Sequence, residues 1–304
     1  ICRRALTAVA LIAPPRSVPD DSARWAIDAP YTAWLAPAAH VRSFGSGRFE
    51  LLATPFDTPS GTDWSTAAHG PLFAYHLHQH EYLRCDGVLP AERAELISDW
   101  IRSHPSGIGW DPHPTGLRLL AWGKLATTAG MLSLDAPQRA ELLRSFADQA
   151  ETLSQNLEVR LQANHLLSNL LCVVFAGLLI ESSASTEWRR RAVLLCDELA
   201  AQIRPDGGHE ERSPMYHALL LESVLDLLNL CRAAPTRAPE GLEQTLADTT
   251  GRMLRALEIL SHGDGRIALF ADSAFDVAAE PSALRAYAER LGVDVESARG
   301  GSFC

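Results

Sequence analysis

The chain has 304 residues, 47% of them hydrophobic and 21% charged, the composition of a globular protein with one large domain or two smaller ones. A formal net charge of -10 excludes a general nucleic-acid binder, whose surface would be basic, so an anionic ligand would need a locally basic cleft. Six dispersed cysteines form no CxxC and no disulfide framework; Cys172, Cys196 and Cys231 fall in apolar runs, where a free thiol behaves as a small buried hydrophobe.

The chain opens on Ile1, with Arg3-Arg4 and the apolar stretch Ala5–Ala13 behind it, a basic and then hydrophobic order that has the form of a clipped signal peptide. That favours a periplasmic or secreted protein, while Pro14-Pro15 and the lack of an A-x-A cleavage site leave a short basic helix and a cytoplasmic location equally open. Residues 1–85 are rich in Pro, Gly, Ser and Thr and read as an irregular segment, with a candidate short helix over Arg24–Leu35 and a turn entering an extended stretch at Phe44–Leu52. Leu72–Leu83 is aromatic and His-rich. His76, His78 and His80 would share a face on a strand and scatter on a helix, and with no second ligand cluster in the sequence no metal site is expected there.

From residue 86 to 295 the pattern is helix after helix. Pro90–His104, Thr115–Ala129, Pro137–Leu161, Asn164–Glu181, Thr186–Ile203, Pro214–Ala233, Leu242–Ser261 and Pro281–Leu291 carry apolar residues at three- and four-residue spacing. Pro or Gly punctuates most joins. Short loops between such segments imply antiparallel helix pairs, and the missing strand–helix alternation excludes Rossmann and TIM folds. The expected fold is therefore all-α, an α/α array that is curved or closed into a toroid. Leu166–Ile180 is interrupted by Ser168 and Asn169 and is shorter than the roughly 20 residues of a membrane span, so it reads as a buried helix.

Three polar constellations stand out against this apolar scaffold. The first is Asp206-Gly-Gly-His-Glu-Glu-Arg-Ser-Pro-Met-Tyr-His217, which turns on a glycine pair and opens a helix at Ser213-Pro214. It gathers carboxylates, His209, Arg212, Tyr216 and His217 on one loop held by helices, where catalytic groups tend to sit; a solvated charged turn explains the same residue types. The second, Gln162-Ala-Asn-His-Leu-Leu-Ser-Asn169, puts polar groups at the head of a strongly apolar helix. Asn164 and His165 there form either the reactive edge of a cleft or a helix start that caps itself. The third is Trp110-Asp-Pro-His-Pro-Thr-Gly-Leu-Arg118, a proline-braced helix entry offering an aromatic platform and a guanidinium, or else a packed Trp and a surface Arg. His262–Arg266 and Phe270–Ser273 form a further polar loop that could share the same rim.

In their order along the chain these pieces resemble the heparinase II/III-like polysaccharide lyases and their alginate-lyase relatives. The match runs from Gly47–Leu52 and Tyr75-His-Leu-His78 through Trp110-x-Pro-x-Pro-Thr-x-x-Arg118, Ala163-Asn-His165 and the 206–217 loop to Gly263–Ser273. The Asp-Gly-Gly-x-x-Glu-Arg-Ser-Pro-x-Tyr-His element is the most specific of these.

The resemblance implies an incomplete α/α toroid over 86–295, on which 1–85 packs, with 296–304 the start of a C-terminal β-sandwich. An anionic polysaccharide would lie in the cleft between the two domains. The implied reaction is β-elimination: a base removes the C5 proton of a uronic acid, its carboxylate being neutralised, and an acid protonates the departing O4. Carried over by motif, Asn164 faces the carboxylate, Tyr216 is the acid and also a candidate base, and His165 neutralises charge or serves as base. Trp110, Arg118, His209, Arg212, His217, His78 and Tyr75 are implied substrate-binding groups. The family's structural metal and a further catalytic His lie in the β-sandwich, so no cofactor is expected within residues 1–304, and these residues alone are expected to show weak or no activity. Tyr75-His-Leu-His-Gln-His80 and Trp110-Asp-Pro-His-Pro114 depart from the relatives' wording at sugar-contacting positions, which leaves the choice between heparan-like and alginate-like substrates open. A toroidal glycoside hydrolase using two of Glu210, Glu211 and Asp272, or a glycan-binding helical scaffold without activity, are the alternatives.

Overall fold

The computed structural model describes residues 23–58, 64, 69–104, 106–160 and 163–293. The Arg3–Ala13 stretch and residues 296–304, on which expectations about a leader and a following domain rest, lie outside them. The helices are α1 Gly70–Gln79, α2 Pro90–Ser103, α3 Pro112–Ala126, α4 Ala136–Gln155, α5 Ala163–Leu179, α6 Ser185–Arg190, α7 Ala192–Gln202, α8 Pro214–Ala233, α9 Leu242–Ile259 and α10 Pro281–Arg290. The strands are β1 Arg24–Trp25, β2 Val41–Gly45, β3 Arg48–Leu51, β4 Thr54–Asp57 and β5 Ile180–Glu181. The architecture is the expected all-α one, an incomplete α/α toroid.

Proline opens most of these helices. It stands in the first turn of α1, α2, α3, α4, α8 and α10, where its missing N–H costs nothing and its fixed φ suits the helix. Asp135 adds a capping box to α4, accepting from the Gln138 N–H at 2.7 Å while Gln138 Oε1 accepts the Asp135 N–H at 3.0 Å. The Thr186–Ile203 pattern divides into α6 and α7 at Arg191, whose N–H bonds the Trp188 carbonyl three residues back rather than four.

At the centre lies α5, packed against α3, α4, α6, α7 and α8. Its apolar run from Leu166 to Ile180 is almost wholly buried, each large aliphatic or aromatic side chain contributing about 1.5–3 kcal/mol of burial. Among the described residues no helix is long and apolar enough to cross a membrane.

The N-terminal segment is more regular than its composition suggests. Strands β2, β3 and β4 form an antiparallel meander, turned at Ser46-Gly47 and at Leu52-Ala53, with positive φ at all four of these residues. Phe49 and Phe56 project from it onto Tyr82, and Phe56 also meets Phe73 of α1. The expected helix over Arg24–Leu35 does not form. Pro30 sits in its middle without a donor, and Trp25 instead pairs with Ile180 while the Ala26 N–H reaches the Leu179 carbonyl at 2.9 Å.

A buried charged cluster ties the layers together. Lys124 of α3 meets Asp226 and Glu222 of α8, its Nζ 3.2 Å from Glu222 Oε1. Asp226 in turn accepts from the Tyr287 hydroxyl of α10 at 3.1 Å. Replacing Lys124 with Met keeps the side-chain volume but leaves Asp226 in the interior without its cation. A loss of about 3–5 kcal/mol is expected, read as a lower urea midpoint at an unchanged slope.

Candidate active site

The first turns of α3, α5 and α8 bring the candidate residues to one rim, and hydrogen bonds join them. The loop before α8 is a tight structure. Gly207 adopts φ +83° directly against α9, where a Cβ would run into the Arg252 carbonyl oxygen, so glycine is required there. Asp206 Oδ1 accepts the Gly208 N–H at 2.9 Å, and the Glu210 N–H reaches the Gln202 carbonyl at 3.0 Å. Arg212 is exposed with φ +56°, a left-handed kink that swings the chain into Ser213. The Ser213 hydroxyl caps α8 by accepting the Tyr216 N–H at 3.3 Å and also bonds the Ser273 hydroxyl at 3.1 Å. Ser273 further accepts the Met215 N–H at 3.2 Å, so the loop ending at Ser273 does share this rim.

Glu211 carries the loop across to α5. Its Oε1 accepts the Asn164 backbone N–H at 3.2 Å, and its Oε2 accepts the Asn164 side-chain amide at 3.0 Å. Beside Asn164, His165 Nδ1 lies 3.3 Å from Oε2 of Glu158, which Asn169 also engages at 3.2 Å. The His113 ring, from the first turn of α3, stands 5.5 Å from that of His165. Tyr75 of α1 donates to Asp111 Oδ2 at 2.7 Å. Tyr216 is half-buried in the first turn of α8, its ring packed on the core.

The electrostatics of this rim follow from those pairings. The hydrogen bond to Glu158 raises the His165 pKa, outweighing partial burial, and the charges of Glu158 and Glu211 add to it. Burial alone would raise Glu158, but the hydrogen bond and charge of His165 bring it below its ordinary value, helped by His113 and Asn169. His113 is half-buried with its Nδ1 shut off from solvent, and that burial together with the neighbouring His165 pulls it down to about 4 and leaves it neutral. Burial also raises the Tyr75 hydroxyl, with Asp111 acting in the same sense.

A cavity of about 290 Å³ lies behind the loop, lined by Arg204, His209, Arg212, Ser213, His217 and Phe270 among others. The hydrogen bonds assign the tautomers of both histidines. His217 Nε2 donates to the Met253 carbonyl at 2.9 Å, so its Nδ1 accepts the His209 N–H at 3.4 Å. Gln202 Nε2 donates to Glu198, so its Oε1 accepts from His209 Nε2 at 3.3 Å. Burial and the neighbouring His217 lower the His209 pKa to about 4.

Three expected sugar contacts are corrected. Arg118 is fully buried: Nε donates to Gln149 Oε1 at 2.7 Å, Nη1 to the His78 and Gly109 carbonyls at 2.8 Å, and the guanidinium stacks 3.9 Å over Trp100. His78 is equally buried and accepts the Trp100 indole N–H at 3.0 Å. Trp110 is 5% exposed and donates to the His104 carbonyl. These residues hold the scaffold beneath the rim and do not face a ligand. His76 turns to His40, whereas His78 and His80, the latter the left-handed residue that ends α1, both pack against Trp64 and Trp100, and His80 accepts from Trp122. Among the described residues no group of His, Cys, Asp or Glu is arranged to hold a metal ion.

The sequence profile described as the heparinase II/III N-terminus matches residues 102–291. The chain belongs to that family. A heparin-sulfate lyase of Pedobacter heparinus is 27% identical over 191 residues, which is 58% of this chain and 28% of that protein. FtsZ-localized protein C of Caulobacter vibrioides is 27% identical over 217 residues, 69% of this chain and 36% of that protein. Among solved structures, heparinase III superposes with a TM-score of 0.59 at 18% identity, over 80% of this chain and 40% of that one. A heparan sulfate lyase HepC mutant from Pedobacter heparinus gives 0.51 at 22% identity, over 78% and 39%. The structural likeness establishes the fold, and the chain spans well under half the length of each of these relatives.

Glu158 escaped the sequence reading because the helical pattern runs on through Leu161, which makes it one surface charge among several. In the structure α4 ends at Gln155, and Asn156 starts a loop that turns Glu158 towards α5. The pH dependence of this pair follows from the two directions. His165 is raised, so its contribution is full below its ordinary value of 6.5 and fades as pH rises through the folded-state pKa. Glu158 is lowered, so its contribution is full above its ordinary value of 4.5 and fades as pH falls through the folded-state pKa. The difference in unfolding free energy between wild type and Glu158→Gln should therefore be greatest between those two values and shrink on either side. Urea titrations across the range measure it.

Proposed function

We propose that the chain carries the toroid half of a polysaccharide lyase that cleaves a uronic-acid-containing anionic glycan by β-elimination. The observation that carries this reading is the grip of Asn164 on a carboxylate. Its backbone N–H and its side-chain amide converge on one carboxylate group, that of Glu211, with the His165 imidazole on the adjacent residue. This is the donor arrangement that abstraction of a proton from C5 requires. As the C5–H bond breaks, negative charge spreads onto the uronate carboxylate, and donors already aimed there stabilise the developing dianion. Glu211 holds these donors, and in this reading a uronate carboxylate takes its place. Family membership, and the heparin-sulfate lyase of Pedobacter heparinus among the relatives, support the same reaction class.

In this reading Tyr216, at the head of α8 and linked through its loop to Asn164, carries the proton. As a phenolate it takes the C5 proton, and as a phenol it returns one to the departing O4, so that atoms and charge balance over the cycle. Of the expected binding groups on that loop this reading keeps the exposed Arg212; His209 and His217 are 2% and 1% exposed and bond Gln202 and the Met253 carbonyl, so they support the loop from behind. Elimination leaves an unsaturated uronate that absorbs in the ultraviolet, whereas hydrolysis does not. Appearance of that absorbance with heparan-like or alginate-like glycan is the direct test.

Tyr216→Phe keeps the ring and its packing but removes the only proton the side chain can exchange. It should lower kcat by about 10² or more with little change in Tm. Asn164→Ala should also lower kcat, because the amide acts most strongly once charge has built on the carboxylate. Near-normal turnover by Tyr216→Phe would move the proton-carrying role to another group.

A further inference from the structure

His165 stands between two carboxylates and a second imidazole, and the way it is held selects one of the two tasks open to it. Glu158, from the loop after α4, places Oε2 3.3 Å from Nδ1. This carboxylate is itself clamped. One turn along α5, Asn169 donates its amide to the same Oε2 at 3.2 Å and accepts the Glu158 backbone N–H on Oδ1 at 3.0 Å. A single turn of α5 thus presents the imidazole and fixes the carboxylate that orients it. The Glu158 side chain is only 14% exposed against 40% for His165, so the carboxylate lies behind the ring and the outer edge of the ring faces the rim. With Nδ1 committed to Glu158, Nε2 is the edge turned towards a ligand.

The other titratable groups around the ring act in the same direction or stay neutral. Glu211, on the loop before α8, adds negative charge from the Asn164 side. His113, from α3, is kept neutral by its own burial and by the neighbouring His165. Asp111 lies beyond it, bound to the Tyr75 hydroxyl.

We propose that Glu158, clamped by Asn169, is a positioning residue that holds His165 as an imidazolium with Nε2–H aimed at the substrate carboxylate, so that His165 neutralises charge and does not act as the base. The assignment rests on the lyase reading above. A charged donor forms hydrogen bonds to a carboxylate roughly twice as strong as a neutral one. A base, by contrast, must be neutral at working pH, and a carboxylate against Nδ1 opposes that. The proton taken from C5 then goes to Tyr216.

The two roles predict opposite pH behaviour when Glu158 is replaced. Ring NMR titration of His165 in wild type, Glu158→Gln, Glu158→Asp and Asn169→Ala needs no glycan and tests the clamp alone. Glu158→Gln should lower the His165 pKa by about one unit, the low end of the effect of a neighbouring opposite charge for a part-exposed ring. Glu158→Asp should recover part of it, and Asn169→Ala should fall between. An unchanged or raised pKa in Glu158→Gln would overturn the proposal. The second measurement follows kcat/KM against pH in the complete protein, together with binding of an unsulfated glucuronate-containing oligosaccharide by calorimetry. The alkaline limb of both profiles should move to lower pH in Glu158→Gln, with activity regained on acidification. Movement of the acid limb instead, with the alkaline limb fixed, would make His165 the base and sink the assignment. If wild type yields no unsaturated product, the lyase reading fails, and the NMR titration with the pH dependence of oligosaccharide binding still decides the role of Glu158.

Discussion

A single buried guanidinium sets the platform on which everything else rests. Arg118 is a cation in the interior, and its hydrogen bonds go to carbonyl and amide oxygens rather than to a carboxylate. Burial pulls its pKa down, yet an arginine begins so high that it stays charged. The fork geometry lets it take the end of α1, the turn before α3 and the middle of α4 at once, while Trp100 of α2 covers its face. The histidines about it are lowered chiefly by burial, and the cation adds to this: His104 is depressed by burial and then by Arg118, His78 by burial, then by His104 and then by Arg118. The aromatic and His-rich cluster is therefore a structural nucleus that fixes where α3 begins, and so where His113 and Asp111 reach the rim.

Above that platform the rim solves an electrostatic problem for an acidic protein. Donors suited to an anionic ligand, Asn164 and His165, would attract any nearby carboxylate, and the chain supplies its own in Glu211 and Glu158. The two differ in consequence. Under the proposed function, Glu211, carried by a loop, competes with a ligand for the same donors. Glu158, pinned by Asn169, leaves the other edge of the imidazole to that ligand and serves as its support.

How much of this the sequence disclosed follows from which forces leave local marks. Helix periodicity and proline punctuation located α2, α3, α5 and α8 to α10 and the start of α4 to within a few residues, because one apolar face and one starting residue are local properties. The loop at 206–217 and the head of α5 were legible as polar groups that an apolar scaffold does not need. Less could be read where a residue's environment is made by distant partners. Arg118 looked like a ligand-binding cation because nothing near it in sequence announces Trp100, Gln149 and the His78 carbonyl. Glu158 looked like a surface charge on a continuing helix, since Asn156 is a weaker stop than Gly or Pro. The false helix at Arg24–Leu35 has the same origin: its partner, the end of α5, lies far along the chain.

That far end of α5 has its own significance. Arg237 donates to the Leu178, Gly177 and Ile180 carbonyls and pairs with Glu181, and Arg189 adds a second bond to the Gly177 carbonyl. The helix is thus anchored by guanidinium groups at its tail and by carboxylates at its head, in the sense its dipole favours. An element fastened at both ends and packed on five neighbours cannot slide along its axis without breaking all of these bonds together. Under the proposed function, making room for a uronate would therefore fall to the loop that bears Glu211, whose side-chain motions belong to the nanosecond-to-microsecond class, while the donors borne by α5 would keep their place.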